Sequence, residues 1–153
     1  MMKKLHNIMR SAFLFTVQKE ATVSEAVHLM VDHNVGVVIV LHRDRLAGVF
    51  SGRDVVRRVL HQGLDPATLP VGEVMTVDVV TANAEMDYES AMSAMDEAGI
   101  RHLLVTSRSK MLSMISIRDL TRAVLRDREE EVQYLGEYLY QMPVQSPAPN
   151  ISA

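Results

Sequence analysis

Ser51-Gly52-Arg53-Asp54 and Ser116-Ile117-Arg118-Asp119 each set a hydroxyl, a guanidinium and a carboxylate within four residues, and the second stands 65 positions after the first. Each follows an apolar run and precedes a helical pattern, so each falls where a strand turns into a helix. An ionised carboxylate in a first helical turn can accept both O–H donors of a vicinal diol. The serine hydroxyl sits where free backbone amides and the helix dipole favour an anion, and the arginine can neutralise one. The plainer alternative is a helix cap, since in Ser-x-x-Asp the serine can take the third amide while the carboxylate reaches back to the cap amide. A single occurrence would mean little; recurrence at the same place in two similar units favours binding in at least one of them.

The elements around the motifs repeat with them. At the same shift, Thr16 pairs with Thr81, Glu20 with Glu85, Ala26 with Ala91, Met30 with Met95, Val40 with Val105, Arg43 with Arg108, Arg57 with Arg122 and Leu60 with Leu125. The chain is a duplicated unit whose period exceeds those of common solenoid repeats. Thr22 and Glu25 form a capping box for a helix over Val23–His33, and Asp87 caps an equivalent helix over Tyr88–Glu97. Val35 to Leu41 and Leu46 to Phe50 read as a strand pair about the turn His42-Arg43-Asp44, repeated by Ile100 to Thr106 and Met111 to Ile115. Helices over Arg53–His61 and Arg118–Asp127 follow. Each unit is thus expected to run helix, strand, strand, helix. Gly63 to Pro70 reads as the link between them. Beyond it, Val74-Met75-Thr76 echoes Ile8-Met9-Arg10 with a shift of 66, so one residue has been gained or lost before Thr16 or Thr81.

The expected division is 1–65 and 66–127 for the two units, 128–141 for a C-terminal helix and 142–153 for a flexible Pro-rich tail. That helix carries Val132, Leu135 and Leu139 at helical spacing, an apolar stripe that needs a partner. The chain has 153 residues, 48% of them hydrophobic, enough for one compact domain or two half-domains sharing a core. Its net charge of -3 argues against a dedicated nucleic-acid surface. With no cysteine, disulfides, thiolate metal sites and cysteine nucleophiles are excluded. His28 and His33 are five apart and share no helix face, so no metal site is expected. No apolar run nears the roughly 20 residues of a membrane span, the N-terminus lacks the apolar core of a signal peptide, and the chain reads as cytoplasmic. Motifs for phosphate transfer, serine hydrolysis or zinc peptidase chemistry are absent from the sequence, so an enzyme is not expected.

Gly48 to Asp54, preceded by Asn34-Val35-Gly36 and followed by Val55-Val56-Arg57-Arg58-Val59, resembles the motif of cystathionine-β-synthase-type (CBS) domains. Ile100-Arg101-His102-Leu103 through Ser116-Ile117-Arg118-Asp119-Leu120 resembles the other half of a tandem CBS pair, or Bateman module. The similarity covers about Leu5 to Asp127. It implies an α/β (α+β) fold of two pseudo-twofold-related units, each a small sheet with flanking helices, with an extra C-terminal helix and two clefts between the halves. It further implies a non-catalytic regulatory module that binds an adenosine compound such as AMP, ADP, ATP or NAD, assembles as a homodimer and signals to an effector, without a catalytic cofactor. Carried over residue by residue, Asp54 and Asp119 with Ser51 and Ser116 would meet the ribose. Arg53, Arg118, Arg101 and His102 would meet phosphate, and the backbone of Thr16-Val17 and Thr81-Ala82 the adenine. The rival reading is a structural dimerisation protein with empty clefts. Gly48 in the first motif strand is replaced by Ser113 in the second, where a side chain is added close to the expected ligand; unequal clefts, with the first favoured, are expected. Arg57, Arg122 and Arg126 extend a basic stripe at i, i+4 spacing; the plainer account, favoured for Arg126, is a solvated face paired with Asp54, Asp119 or the glutamates, and Met86, Met92, Met95, Met111 and Met114 are read as core fillers of the second unit.

Overall fold

The computed structural model describes residues 3–9 and 14–141, with side chains as far as Glu137. Two three-stranded sheets are built the same way. In the first, β1 (Thr16–Gln18) lies parallel to β2 (Val37–His42), which is antiparallel to β3 (Arg45–Ser51). In the second, β4 (Thr81–Asn83), β5 (His102–Ser107) and β6 (Lys110–Ser116) repeat the order and directions. Helix α1 (Val23–His33) joins β1 to β2, and α3 (Tyr88–Ala98) joins β4 to β5. The unit is therefore strand, helix, strand, strand, helix. The opening strands β1 and β4 add to the expected helix, strand, strand, helix order; each is only three residues long and shows no resolvable alternation in sequence.

Local chemistry sets these elements. Thr22 and Glu25 make both bonds of a capping box, at 3.2 and 3.0 Å, and Asp87 takes the Ser90 amide at 2.8 Å. Asn34 and Gly99 end the two helices in the left-handed conformation. Both hairpins turn on a pair of residues with positive φ, Arg43-Asp44 and Arg108-Ser109, the two-residue turn whose twist matches that of the strands. Even the bulge recurs, after Val40 in β2 and after Val105 in β5.

After β3 the chain forms α2 (Gly52–Asp54) and widens into π-helical turns over Val55–Leu60, with the His61 amide donating to the Val56 carbonyl at 2.9 Å. After β6 it forms α4 (Ile117–Gln141), one uninterrupted helix of 25 residues. The helix expected over 128–141 is thus the far end of the helix begun at the second motif. Val132, Tyr134 and Leu135 on it are solvent-exposed. The side chain of Leu139 and the tail expected over 142–153 lie outside the described residues.

The two units share more than an interface. Leu5, fully buried, packs in the core of the second unit with Ala91, Leu103 and Leu120, and its amide donates to the Met86 carbonyl at 2.9 Å. Sixty-six positions on, Val71 is fully buried in the core of the first unit with Val23, Phe50 and Val59, and its amide donates to the Ala21 carbonyl at 2.7 Å. Each unit is closed by the segment that precedes the other, so a cut at 65/66 separates chain segments but not cores. A salt bridge of 3.0 Å from Lys3 to Asp127 on α4 ties down the first of these arms. Of the methionines, Met95 is buried in the second core and Met86 and Met92 pack at its margin.

Candidate functional site

At both motifs the strand-to-helix junction is set the same way. The Ser116 amide donates to Asp119 Oδ2 and the Asp119 amide to Ser116 Oγ, each at 3.0 Å; the matching pair at Ser51 and Asp54 measures 2.9 and 3.3 Å. Capping therefore exists at both places, as the plainer reading required. The difference lies in what else reaches the carboxylate.

At the first motif the protein itself occupies the space. Thr76, in the connection leading to β4, exchanges backbone hydrogen bonds of 2.8 and 2.9 Å with Val49. Its hydroxyl donates to Asp54 Oδ1 at 3.2 Å, Arg58 Nε lies 3.5 Å from the same oxygen, and an Arg58 Nη donates to the Met75 carbonyl at 2.8 Å. Asp54 is only 8% exposed. Gly48 makes this approach possible, since a Cβ there would lie 2.5 Å from the Thr76 carbonyl oxygen and 2.8 Å from Met75 Sδ. The glycine that suggested room for a ligand is thus used for the chain's own backbone. Arg53, expected at phosphate, donates to the Gly99 carbonyl across the unit boundary at 3.0 Å.

At the second motif there is a cavity of about 790 Å³, within the range of small-molecule sites. Ser116, Arg118, Asp119, Arg101 and His102 all line it, facing Asn34, Gly36, Val37 and Ile39 of the first unit. The Ile117 amide donates to the Arg101 carbonyl at 2.8 Å, which holds the start of β5 beside the start of α4. Gly36 leaves room for the His102 imidazole, because a Cβ there would lie 3.2 Å from Cε1. Burial pushes the His102 pKa below its ordinary value, with Asp119 opposing and Arg101 reinforcing the shift. The shift favours the neutral imidazole, an acceptor as well as a donor.

Among the described residues the cavity found is at the second motif, where Ser113 replaces Gly48, while at the first motif Thr76 and Arg58 reach Asp54. The residues of the first motif line neither this cavity nor a smaller one of about 240 Å³ beside it. Thr16, Val17, Thr81 and Ala82 do not line them either; Ala82 is buried in the second core, and Leu14 and Phe15, just before β1, form the wall instead. Phe15 is stacked on His33 with ring centroids 4.3 Å apart. Met114, read as a core filler, also faces the cavity.

The smaller cavity is lined by Asn7, Met9, Arg122, Ala123 and Arg126, and shares Ile8, Asp119 and Arg122 with the larger. The carboxylate pairing favoured for Arg126 is not found: among the described residues neither Arg122 nor Arg126 has a carboxylate within ion-pair distance, whereas Arg58 pairs with Asp54. The signal that could have found this annex was in the repeat. Arg58, which fills the first site, corresponds to Ala123 in the second.

No group of His, Asp and Glu able to hold a metal occurs among the described residues, and no helix there is long and apolar enough to cross a membrane. A duplicated strand-helix-hairpin-helix unit with exchanged arms and a cleft at a strand-to-helix junction defines a paired ligand-binding module. The CBS domain family model matches the chain twice, over residues 5–61 and 71–126. The chain is 36% identical over 123 residues to the CBS domain-containing protein CBSX3, mitochondrial, of Arabidopsis thaliana, covering 77% of this chain and 60% of that protein. To the CBS domain-containing protein YhcV of Bacillus subtilis it is 35% identical over 105 residues, 69% of this chain and 74% of that one. A solved structure of a protein with CBS domains from Burkholderia ambifaria superposes with a TM-score of 0.79 at 27% identity, covering 94% of this chain and all of the other. This chain belongs to the CBS domain family, as a tandem pair. Proteins of this kind are generally regulatory, ligand-binding modules.

Proposed function

We propose that this chain is a non-catalytic sensor that binds one adenine nucleotide in the cleft at Ser116-Ile117-Arg118-Asp119 and passes its occupancy along α4 to a partner. The observation that carries the reading is the cavity itself, where a first-turn carboxylate, a cap hydroxyl and three arginines, Arg101, Arg118 and Arg122, line one space. Asp119 would accept the ribose hydroxyls through Oδ1, which leaves Oδ2 on the Ser116 amide. Arg101 and Arg118 would meet phosphate, and Leu14, Phe15 and Ile39 would supply the apolar wall for the base. Ser116 and His102 are cross-strand partners that both line the cleft, and Ser116 Oγ accepts the Asp119 amide as a helix cap, a duty that favours binding over catalysis. One helix then joins the site, at its first turn, to exposed Val132, Tyr134 and Leu135 at its far end, a face suited to a second copy of the chain.

Signalling requires that the nucleotide bind two states of the module with different affinity. The test of the binding step is titration by thermal shift and calorimetry with AMP, ADP, ATP and NAD. Saturation at about 100 times Kd should add roughly 2.7 kcal/mol of stability, and Asp119→Ala should remove it. No stabilisation by any of these compounds would leave the dimerisation reading in its place.

A further inference from the structure

The annex beside the main cavity has a chemistry of its own. Arg118, Arg122 and Arg126 follow one another at four-residue spacing on α4, so they share a face and step along it by about 6 Å each. Arg118 and Arg122 line the larger cavity, and Arg122 and Arg126 line the smaller. With Arg101, four guanidinium groups border the combined space against a single carboxylate, Asp119, in a chain whose net charge is -3. None of the four makes an ion pair or donates a side-chain hydrogen bond to another described residue, whereas Arg53 and Arg58, at the closed motif, are both engaged. So close a row of like charges along two adjoining cavities creates a positive potential that favours a bound anion. The row is also longer than one phosphate group can contact.

The annex exists because the two units differ here. At the position of Ala123 the first unit has Arg58, whose side chain spans to Met75 and Asp54 and fills the corresponding space. We propose that the cleft selects a nucleoside polyphosphate over a monophosphate, with Arg122 and Arg126 receiving the terminal phosphates in the annex that Ala123 leaves open. This rests on the nucleotide reading of the main cavity and adds the ligand's charge class to it. Arg122 bridges the two chambers, and Arg126 meets only the last phosphates.

The test is isothermal titration of the full chain and its Arg126→Ala variant with AMP, ADP, ATP and inorganic tripolyphosphate, with a melting curve to show that the exposed substitution leaves the fold intact. Affinity should rise from AMP to ADP to ATP. Arg126→Ala should weaken ATP about ten-fold, the size of one charge-assisted hydrogen bond, and leave AMP within a factor of about two. Arg57→Ala, at the corresponding place beside the closed motif for Arg122, should change neither. AMP bound as tightly as ATP overturns the proposal and leaves the nucleotide reading standing, as does an Arg126→Ala variant that loses all three nucleotides equally or none. Tripolyphosphate bound as tightly as ATP overturns the nucleoside class. No binding of any nucleotide overturns both.

Discussion

Asp54 and Asp119 hold the same place in two copies of one motif, yet different groups reach their carboxylates, and alanine at each should separate their effects. At Asp119 the loss is a helix cap to the Ser116 amide, about 1 kcal/mol. At Asp54 the same cap is lost together with the bond from the Thr76 hydroxyl, roughly another 1 kcal/mol. The Arg58 contact, with an arginine side chain 49% exposed, adds a few tenths to about 1 kcal/mol. The sum for Asp54→Ala is therefore about 2–3 kcal/mol. In a chain of this size 1 kcal/mol moves Tm by about 2–4 °C, so the Asp54 and Asp119 variants should melt about 4–12 °C and about 2–4 °C below the parent, respectively. The assay is thermal and urea unfolding by circular dichroism, with and without saturating nucleotide. Stabilisation by nucleotide should survive Asp54→Ala and vanish with Asp119→Ala. Equal losses of stability would refute the account of the closed motif, and loss of binding through Asp54 but not Asp119 would refute the choice of cleft.

Leu5→Ala should destabilise by about 2–5 kcal/mol in urea unfolding, because Leu5 is fully buried in the second core although it precedes the first unit; a change under about 0.5 kcal/mol, typical of surface positions, would contradict the exchanged arms. Gly48→Ala should cost about 1–3 kcal/mol by overpacking, since its Cβ would meet the Thr76 carbonyl oxygen at 2.5 Å, and a neutral result would show that the connection to β4 does not lie against β3. His102 has a folded-state pKa below its ordinary value of 6.5, so the unfolded chain binds a proton there more readily than the folded one. Stability should fall as pH drops from about 6.5 towards the folded value; His102→Gln, measured by urea unfolding across this range, should flatten that part of the profile, and an unchanged profile would remove His102 as its source.

Much of the fold could be read from patterns that act locally. The bounds of α1 agree at both ends, because Thr22 and Glu25 satisfy its first amides by themselves and Asn34 stops it in a left-handed turn. Both hairpins were legible from β-branched runs around a short polar turn. The strands β1 and β4 were not, since they are held by parallel pairing to β2 and β5 rather than by any pattern of their own. The arms were visible only as a change of shift from 65 to 66. That each crosses to the other unit is a tertiary fact, expressed in the burial of Leu5 and Val71. At the site, Ser116, Arg118, Asp119, Arg101 and His102 are brought to one cavity. The residue types carried this, because a cap serine and a first-turn carboxylate must sit at the helix start that the cavity adjoins. Gly48 admits the close approach of the Thr76 carbonyl and Met75, and a missing side chain marks such an approach without saying of what.

The closed motif gives the duplication a direction. For a diol to reach Asp54 it would have to displace the Thr76 hydroxyl, and access past Thr76 would part its two backbone bonds to Val49, each worth about 1 kcal/mol and more if left unsatisfied. Asp119 has no such competitor among the described residues. The first unit then lies as a frame: its central strand β2 supplies Val37 and Ile39 as a wall, its Arg53 ties the Gly99 carbonyl at the end of α3, and the connection that leads to the second unit lies against its own motif. The second unit supplies the charged groups and the 25-residue helix that starts among them. A ligand drawn to Arg118, Arg122 and Arg126 would hold successive turns of α4 against the frame. The free energy of binding would therefore fall on the one element that runs from the cleft to an exposed apolar face, which a site at the first motif, followed only by the short α2 and its π-helical turns, could not do.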